Sequence, residues 1–354
     1  MTGKKRKLLK CGAAVVAISL VAALLFILAV SKLCLVGTFN RQEARDDVTR
    51  TTMYTADDFD KYEKQKIRFL SGKNMLKGYI WGDKSSKKLV VISHGWGELS
   101  NYYYPVMDYF VSRGYRVLTY DNTGTGESEG FGTKGLSQSA IDLDNALSFI
   151  ERDGELRNMP VYLFGHSWGG HAVTSVLNFG HKNVRAVASV AGYNSNGGAM
   201  LEWMQRRLNM GAFAYSLFPF AAFWSLLDAG ENYYATGVSG INNANLPVLV
   251  VQGGNDDTVL EDSIYSHRKE ITNDSVEYYY IEKGTHTDVI ESNEASTRTY
   301  RELIDYEYEK LSKKYDGKIP EDVEAKFINS VNKQKYNEVN NNTMSKVFEF
   351  FEAI

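Results

Sequence analysis

Short apolar runs alternate along this chain with stretches whose apolar residues return every three or four positions. Residues 89–93, 115–120, 161–164, 185–190, 246–252 and 276–281 are rich in Val, Leu, Ile and Tyr and too short for helices, so they read as buried strands. Between them lie helical patterns: residues 102–113, closed by Gly114; the set Leu136, Ala140, Leu143, Leu147 and Ile150; and a stretch around 261–271. Ahead of these, residues 67–81 hold two extended runs about Ser71-Gly72-Lys73-Asn74, a hairpin signal. Such alternation predicts a mostly parallel sheet with helices on both faces.

Two stretches break the rhythm. Residues 194–245 show no strand pattern yet carry many large apolar side chains, among them Met200, Trp203, Phe213, Phe218, Phe223 and Trp224. Inserted between two strands on the side where strand ends open, they predict a helical lid; ordinary core helices are the alternative. Residues 295–354 are helical, with one apolar face on Tyr300, Ile304 and Tyr308 and another on Met344, Val347 and Phe351. A lysine- and asparagine-rich connection, residues 313–343, separates the two faces.

The N-terminal pattern is different again. Residues 11–30 are apolar except for Gly12 and Ser19, and as a helix they are about 30 Å long, enough to cross a bilayer. Lys4, Lys5, Arg6, Lys7 and Lys10 precede them, so the positive-inside rule places residues 1–10 in the cytoplasm and the remainder outside. A cleaved signal peptide is the alternative, since Ala29-Val30-Ser31 resembles a cleavage site; the apolar run is long for one. Charge-rich residues 31–62 read as a stalk, followed by one folded domain over residues 63–354.

Composition narrows the function. Charged residues make up 23% of the chain and the net charge is −3, which fits a folded protein and gives no nucleic-acid footprint. The two cysteines, Cys11 and Cys34, lie in or beside the apolar segment, so the domain has no disulfide, thiol nucleophile or cysteine-based metal site. No zinc-binding pattern such as H-E-x-x-H occurs. Gly130-Phe131-Gly132-Thr133-Lys134-Gly135 matches a dinucleotide fingerprint, but it starts too far beyond the preceding strand for a phosphate turn. Neither cofactor, metal nor nucleotide is expected.

The apolar run 161–164 leads into Gly165-His166-Ser167-Trp168-Gly169, the G-x-S-x-G form of a nucleophile elbow. A serine on a strained strand-to-helix turn needs glycines two residues away on either side, where a Cβ would meet neighbouring backbone. A hydroxyl is a poor nucleophile until a base takes its proton and a third group orients that base. Asp256 follows the strand 246–252, and His286 follows the strand 276–281, in the order acid then histidine. Ser167 is therefore the expected nucleophile, His286 the base and Asp256 the orienting carboxylate, with Asp257 as the alternative acid. The backbone N–H groups of Trp96 and Trp168 are the expected oxyanion donors.

These residues give the chain its family likeness. His94-Gly95-Trp96-Gly97-Glu98, Gly114 to Asp121, Gly124-Thr125-Gly126-Glu127-Ser128 and the Ser167 elbow resemble the α/β-hydrolase superfamily, and within it the monoacylglycerol lipase and lysophospholipase-like, serine aminopeptidase S33-type group. The resemblance implies an α/β-hydrolase fold with a helical lid, here preceded by a transmembrane helix, and a cofactor-free esterase working through Ser167, Asp256 and His286. The expected protein is thus a membrane-anchored serine hydrolase of small acyl esters or lipids. An S33-type aminopeptidase or amidase, with Glu202, Asp228 or Glu231 receiving a substrate amine, and a catalytically silent binding module are the alternatives.

Overall fold

A computed structural model of the protein describes residues 3–43 and 52–354. Helix α1 (Gly3–Thr38) comes first, then the hairpin of β1 (Lys64–Ser71) and β2 (Asn74–Trp81). β3 (Leu89–Ser93), α2 (Tyr104–Val111), β4 (Arg116–Tyr120), α3 (Gln138–Arg152), β5 (Val161–His166), α4 (Trp168–Ser175) and β6 (Val184–Val190) alternate as the periodicity requires. α5 (Asn196–Arg206), α6 (Ala214–Ala229) and α7 (Gly237–Ala244) precede β7 (Val248–Gly253) and β8 (Val276–Ile281). α8 (Ala295–Lys314), α9 (Glu321–Ser330), α10 (Lys333–Tyr336) and α11 (Asn341–Glu352) follow.

The eight strands form one sheet in the order β1-β2-β4-β3-β5-β6-β7-β8. β2 pairs antiparallel with both β1 and β4, and every other neighbouring pair is parallel. Side chains alternate across each strand, so both faces need cover. Val90 and Ile92 of β3 join one core with Phe110 of α2 and Phe351 of α11, whereas Leu89 and Val91 join the other with Leu147 of α3 and Val173 of α4. Burial on both faces is why the central strands are continuous apolar runs.

Three expectations need correction. The stretch 261–271 is a series of turns ending in a single 3₁₀ turn (Arg268–Glu270). Side chains there satisfy the backbone groups that a helix would have used: Glu202 accepts from the N–H of Leu260, Glu261 and Asp262, and the Ser263 and Ser266 hydroxyls donate to the Leu260 carbonyl. Among the described residues, 31–43 and 52–62 are no free stalk. Residues 31–38 continue α1, Phe39 is buried against the domain, and so are Met53 and Phe59; residues 44–51 lie outside the described residues. The insertion 194–245 divides in two. α5 and α6 lie over the strand ends, but α7 is an ordinary crossover helix whose Ile241 belongs to the core beneath α4. The connection 313–343 holds α9 and α10, in keeping with the helical reading of residues 295–354.

The span from Lys10 to Thr38 within α1 is long and apolar enough to cross a bilayer, and Val15, Leu20, Leu25 and Phe26 along it are exposed. Its last turns meet α6. Lys32 pairs with Asp228 at 2.6 Å and lies over the Trp224 ring, whose indole N–H donates to the Leu28 carbonyl at 3.0 Å.

Candidate active site

β5 delivers Ser167 to the carboxyl end of the sheet and α4 departs from it at once. Ser167 has φ 55° and ψ −115°, a region that only a tightly held non-glycine residue occupies. Its N–H donates to the Val190 carbonyl at 2.9 Å, and its carbonyl accepts the His171 N–H at 3.0 Å. The flanking glycines are steric necessities. A Cβ at Gly165 would stand 2.1 Å from the Gly169 carbonyl oxygen, and one at Gly169 would stand 1.9 Å from that of Ser93.

Two loops bring the partners. His286 lies beyond β8, and its Nε2 is 2.9 Å from Ser167 Oγ, while its Nδ1 is 2.8 Å from Asp256 Oδ2. With Nδ1–H donating to the carboxylate, Nε2 is free to accept the serine proton. Asp256 follows β7 and is buried. Its Oδ1 accepts the N–H groups of Thr258 and Val259, each at 2.9 Å, and its Oδ2 accepts from Gln252 Nε2 at 3.1 Å. Burial pushes this carboxyl upward, but the hydrogen bond and charge of His286, with the two backbone N–H groups, outweigh it and hold the group below the usual carboxylate range. Asp257 instead points outward, toward Arg207.

Trp168 is the first residue of α4, where N–H groups have no carbonyl within the helix to meet, and the positive end of the helix faces the serine. Trp96 sits on the loop after β3, across from it. Both residues line a narrow cavity with Ser167, Leu136, Tyr193 and Met200. The Trp168 ring is buried and its indole N–H donates to the Leu136 carbonyl at 2.7 Å, which fixes one cavity wall.

Comparison with known proteins bears on the fold and on the sequence likeness. A family described as "Serine aminopeptidase, S33" matches residues 84–219. The monoglyceride lipase of Saccharomyces cerevisiae is 26% identical over 120 residues, covering 33% of this chain and 37% of that protein. The match therefore spans little more than a third of the relative's own length. An esterase of Pyrococcus furiosus superposes with a TM-score of 0.51 at 19% identity, over 66% of this chain and 86% of the esterase. A second crystal form of that esterase gives 0.50 at 18% identity, over 74% and 96%. This chain has the α/β-hydrolase fold. Its sequence matches lie with the S33-type family and with a monoglyceride lipase.

Behind the Ser167 to His286 pair, the chain carries a polar network that motif reading does not reveal. His166 Nε2 donates to the His286 backbone carbonyl at 3.0 Å, and its Nδ1 is 2.8 Å from the Tyr103 hydroxyl. That hydroxyl also accepts the Gly95 N–H at 3.0 Å and contacts the Glu98 carboxylate. Burial, and then the neighbouring His286 charge, drive His166 down to about 4, so its imidazole is neutral at pH 7. Tyr103 thereby ties the loop bearing Trp96 to His166, which in turn holds the His286 backbone carbonyl. The clue in the sequence was only that His166 sits inside the elbow. Tyr103→Phe keeps the ring but removes these hydrogen bonds. Losing about 1 to 1.5 kcal/mol of positioning corresponds to a fall in kcat of roughly tenfold. KM should change little; unaltered steady-state kcat would show that the network is not coupled to the site.

Proposed function

We propose that the protein is a serine esterase of the lipase type, held at a membrane by α1, that cleaves carboxylic esters of apolar acyl groups through an acyl-enzyme. The observation that carries this reading is the unbroken hydrogen-bonded line from Ser167 Oγ through the His286 ring to Asp256. Ser167 Oγ attacks the ester carbonyl carbon as its proton passes to His286 Nε2. The carbonyl oxygen becomes an anion near the Trp96 and Trp168 N–H groups. Collapse of this intermediate breaks the bond to the alcohol, which leaves with the proton from His286. Water then repeats the sequence, freeing the carboxylic acid and restoring the serine. Asp256 keeps the imidazole in the required tautomer and stabilises its cation without taking the proton itself.

The character of the cavity favours an apolar acyl group. Its lining beyond the serine is almost wholly apolar and aromatic, including Leu136, Met200, Trp203 and Val259. The aminopeptidase reading would require acidic groups free to receive a substrate amine. Glu202 is already committed to three backbone N–H groups, Asp228 to Lys32, and Glu231 does not line the Ser167 cavity. Exposed apolar side chains along α1, and Phe213, Tyr215 and Leu227 around α6, favour work at a lipid surface. A panel of p-nitrophenyl esters beside aminoacyl-naphthylamides tests the choice. Esters should turn over faster, and faster amide cleavage would reject the esterase reading.

A further inference from the structure

The residues directly after α1 are threaded into the catalytic domain rather than trailing from it. The Phe39 carbonyl accepts the Thr133 N–H at 2.9 Å, the Gln42 N–H donates to the Gly124 carbonyl at 2.9 Å, and the Gln42 carbonyl accepts the Gly126 N–H at 3.0 Å. Arg41 spreads its guanidinium over the carbonyls of Gly126, Ser128 and Gly130. The receiving loop is built for this strand of chain. A Cβ on Gly132 would stand 2.2 Å from the Phe39 carbonyl oxygen, and one on Gly124 would stand 2.2 Å from the Gly132 backbone. The glycine at 132 is thus explained by what lies against it.

This threading puts a side chain into the site. Phe39 is only 8% exposed, meets the Trp96 ring edge-on at 6.0 Å between centroids, and packs with Leu35, Met200 and Met204. Thr38 and Phe39 line the same cavity as Ser167. The cavity is small, about 90 Å³, well below the several hundred Å³ of a typical ligand pocket. Any side chain that bounds it therefore decides how much of a substrate fits. α6 is clasped to α1 through Lys32, Asp228 and Trp224, so one wall of the cavity and its lid share a single support.

We infer that the segment following α1 is a fixed wall of the acyl pocket and that Phe39 is a specificity-determining residue, setting the length of acyl chain the hydrolase accepts. The assignment rests on the esterase reading for its substrate, a carboxylic ester with an apolar acyl chain, but it makes a claim about binding that does not depend on turnover. Truncating the ring lengthens the pocket toward Met200 and α1. Each additional methylene that then finds a place out of water favours binding by about fourfold. Filling the space further does the reverse.

The test uses the full-length protein in detergent, as wild type, Phe39→Ala, Phe39→Leu and Phe39→Trp. Gly132→Ala is included as a variant that displaces the segment while keeping the phenylalanine. Saturated fatty acids from eight to sixteen carbons are compared by displacement of a fluorescent fatty acid, and kcat/KM is measured for the p-nitrophenyl esters of the same acids. Phe39→Ala, Phe39→Leu and Gly132→Ala should move both optima toward longer chains, and Phe39→Trp toward shorter ones. The long-to-short ratio should change by at least the roughly fourfold expected for one methylene. Identical chain-length profiles in all folded variants would overturn the assignment, as would failure of the wild type to bind any of the acids. If binding shifts with Phe39 while the wild type neither hydrolyses esters nor reacts with a fluorophosphonate, the esterase reading fails and the pocket wall stands.

Discussion

Ser167→Ala should end covalent capture by a fluorophosphonate and lower ester hydrolysis on the order of 10⁴- to 10⁶-fold, with little change in thermal stability. The size of the loss follows from the role proposed for the hydroxyl. When the attacking group of a serine hydrolase is removed, the remaining members have no proton to move and no covalent intermediate to resolve, so only oxyanion stabilisation and binding are left. The fold should tolerate the change. Ser167 already holds φ at 55°, and an alanine occupies the same backbone position without a larger side chain, while the bonds to Val190 and His171 come from the main chain. Mass spectrometry of the labelled protein, with melting curves of both forms, checks the expectation. Wild-type labelling in the alanine variant would place the nucleophile elsewhere and remove the basis of the esterase reading.

Gly169→Ala should cripple the fold rather than the chemistry. The added methyl would lie 1.9 Å from the Ser93 carbonyl oxygen and 2.5 Å from its carbon, at the joint between β3 and α4. Neither neighbour is a flexible side chain that can turn away. Relief requires α4 to lift from the sheet, which also displaces Trp168 and the serine. Overpacking of a well-filled core costs about 1 to 3 kcal/mol when side chains can adjust, and a clash with fixed backbone belongs at or above the top of that range. Gly154→Ala is the control, because nothing lies within 4 Å of its Cβ position and its backbone is ordinary. Urea unfolding should give a large drop in midpoint for the first variant and almost none for the second. A Gly169→Ala protein as stable as wild type would contradict the close approach of β3 and α4.

Both outcomes concern the elbow, the part of the molecule most openly written in the sequence. A glycine is required where a Cβ meets backbone, and such contacts lie within a few residues or one strand away, so the motif carries its own geometry. The doubly buried strands were legible for a related reason: a segment covered on both faces must be apolar throughout, and that shows in any window of five or six residues. The hydrogen-bonding partners of Ser167 were harder to read. Order along the chain narrowed the acid to two neighbouring aspartates, and the structure brings Asp256, not Asp257, to His286 because the turn after β7 aims its N–H groups at the first carboxylate.

By itself the sequence determined the alternation of strands and helices, the apolar N-terminal helix, the glycine-bound turn around Ser167 and the loops that carry its partners, since each depends on side chains close together in the chain. The tertiary structure alone decided that residues 260–271 are turns, that α7 belongs to the core, that Tyr103 joins Gly95 to His166, and that Phe39 reaches the pocket. Each of these depends on a backbone group or cavity being satisfied by a partner from a distant segment. Periodicity reports which face of a segment avoids water; it carries no record of which remote residue fills the space opposite.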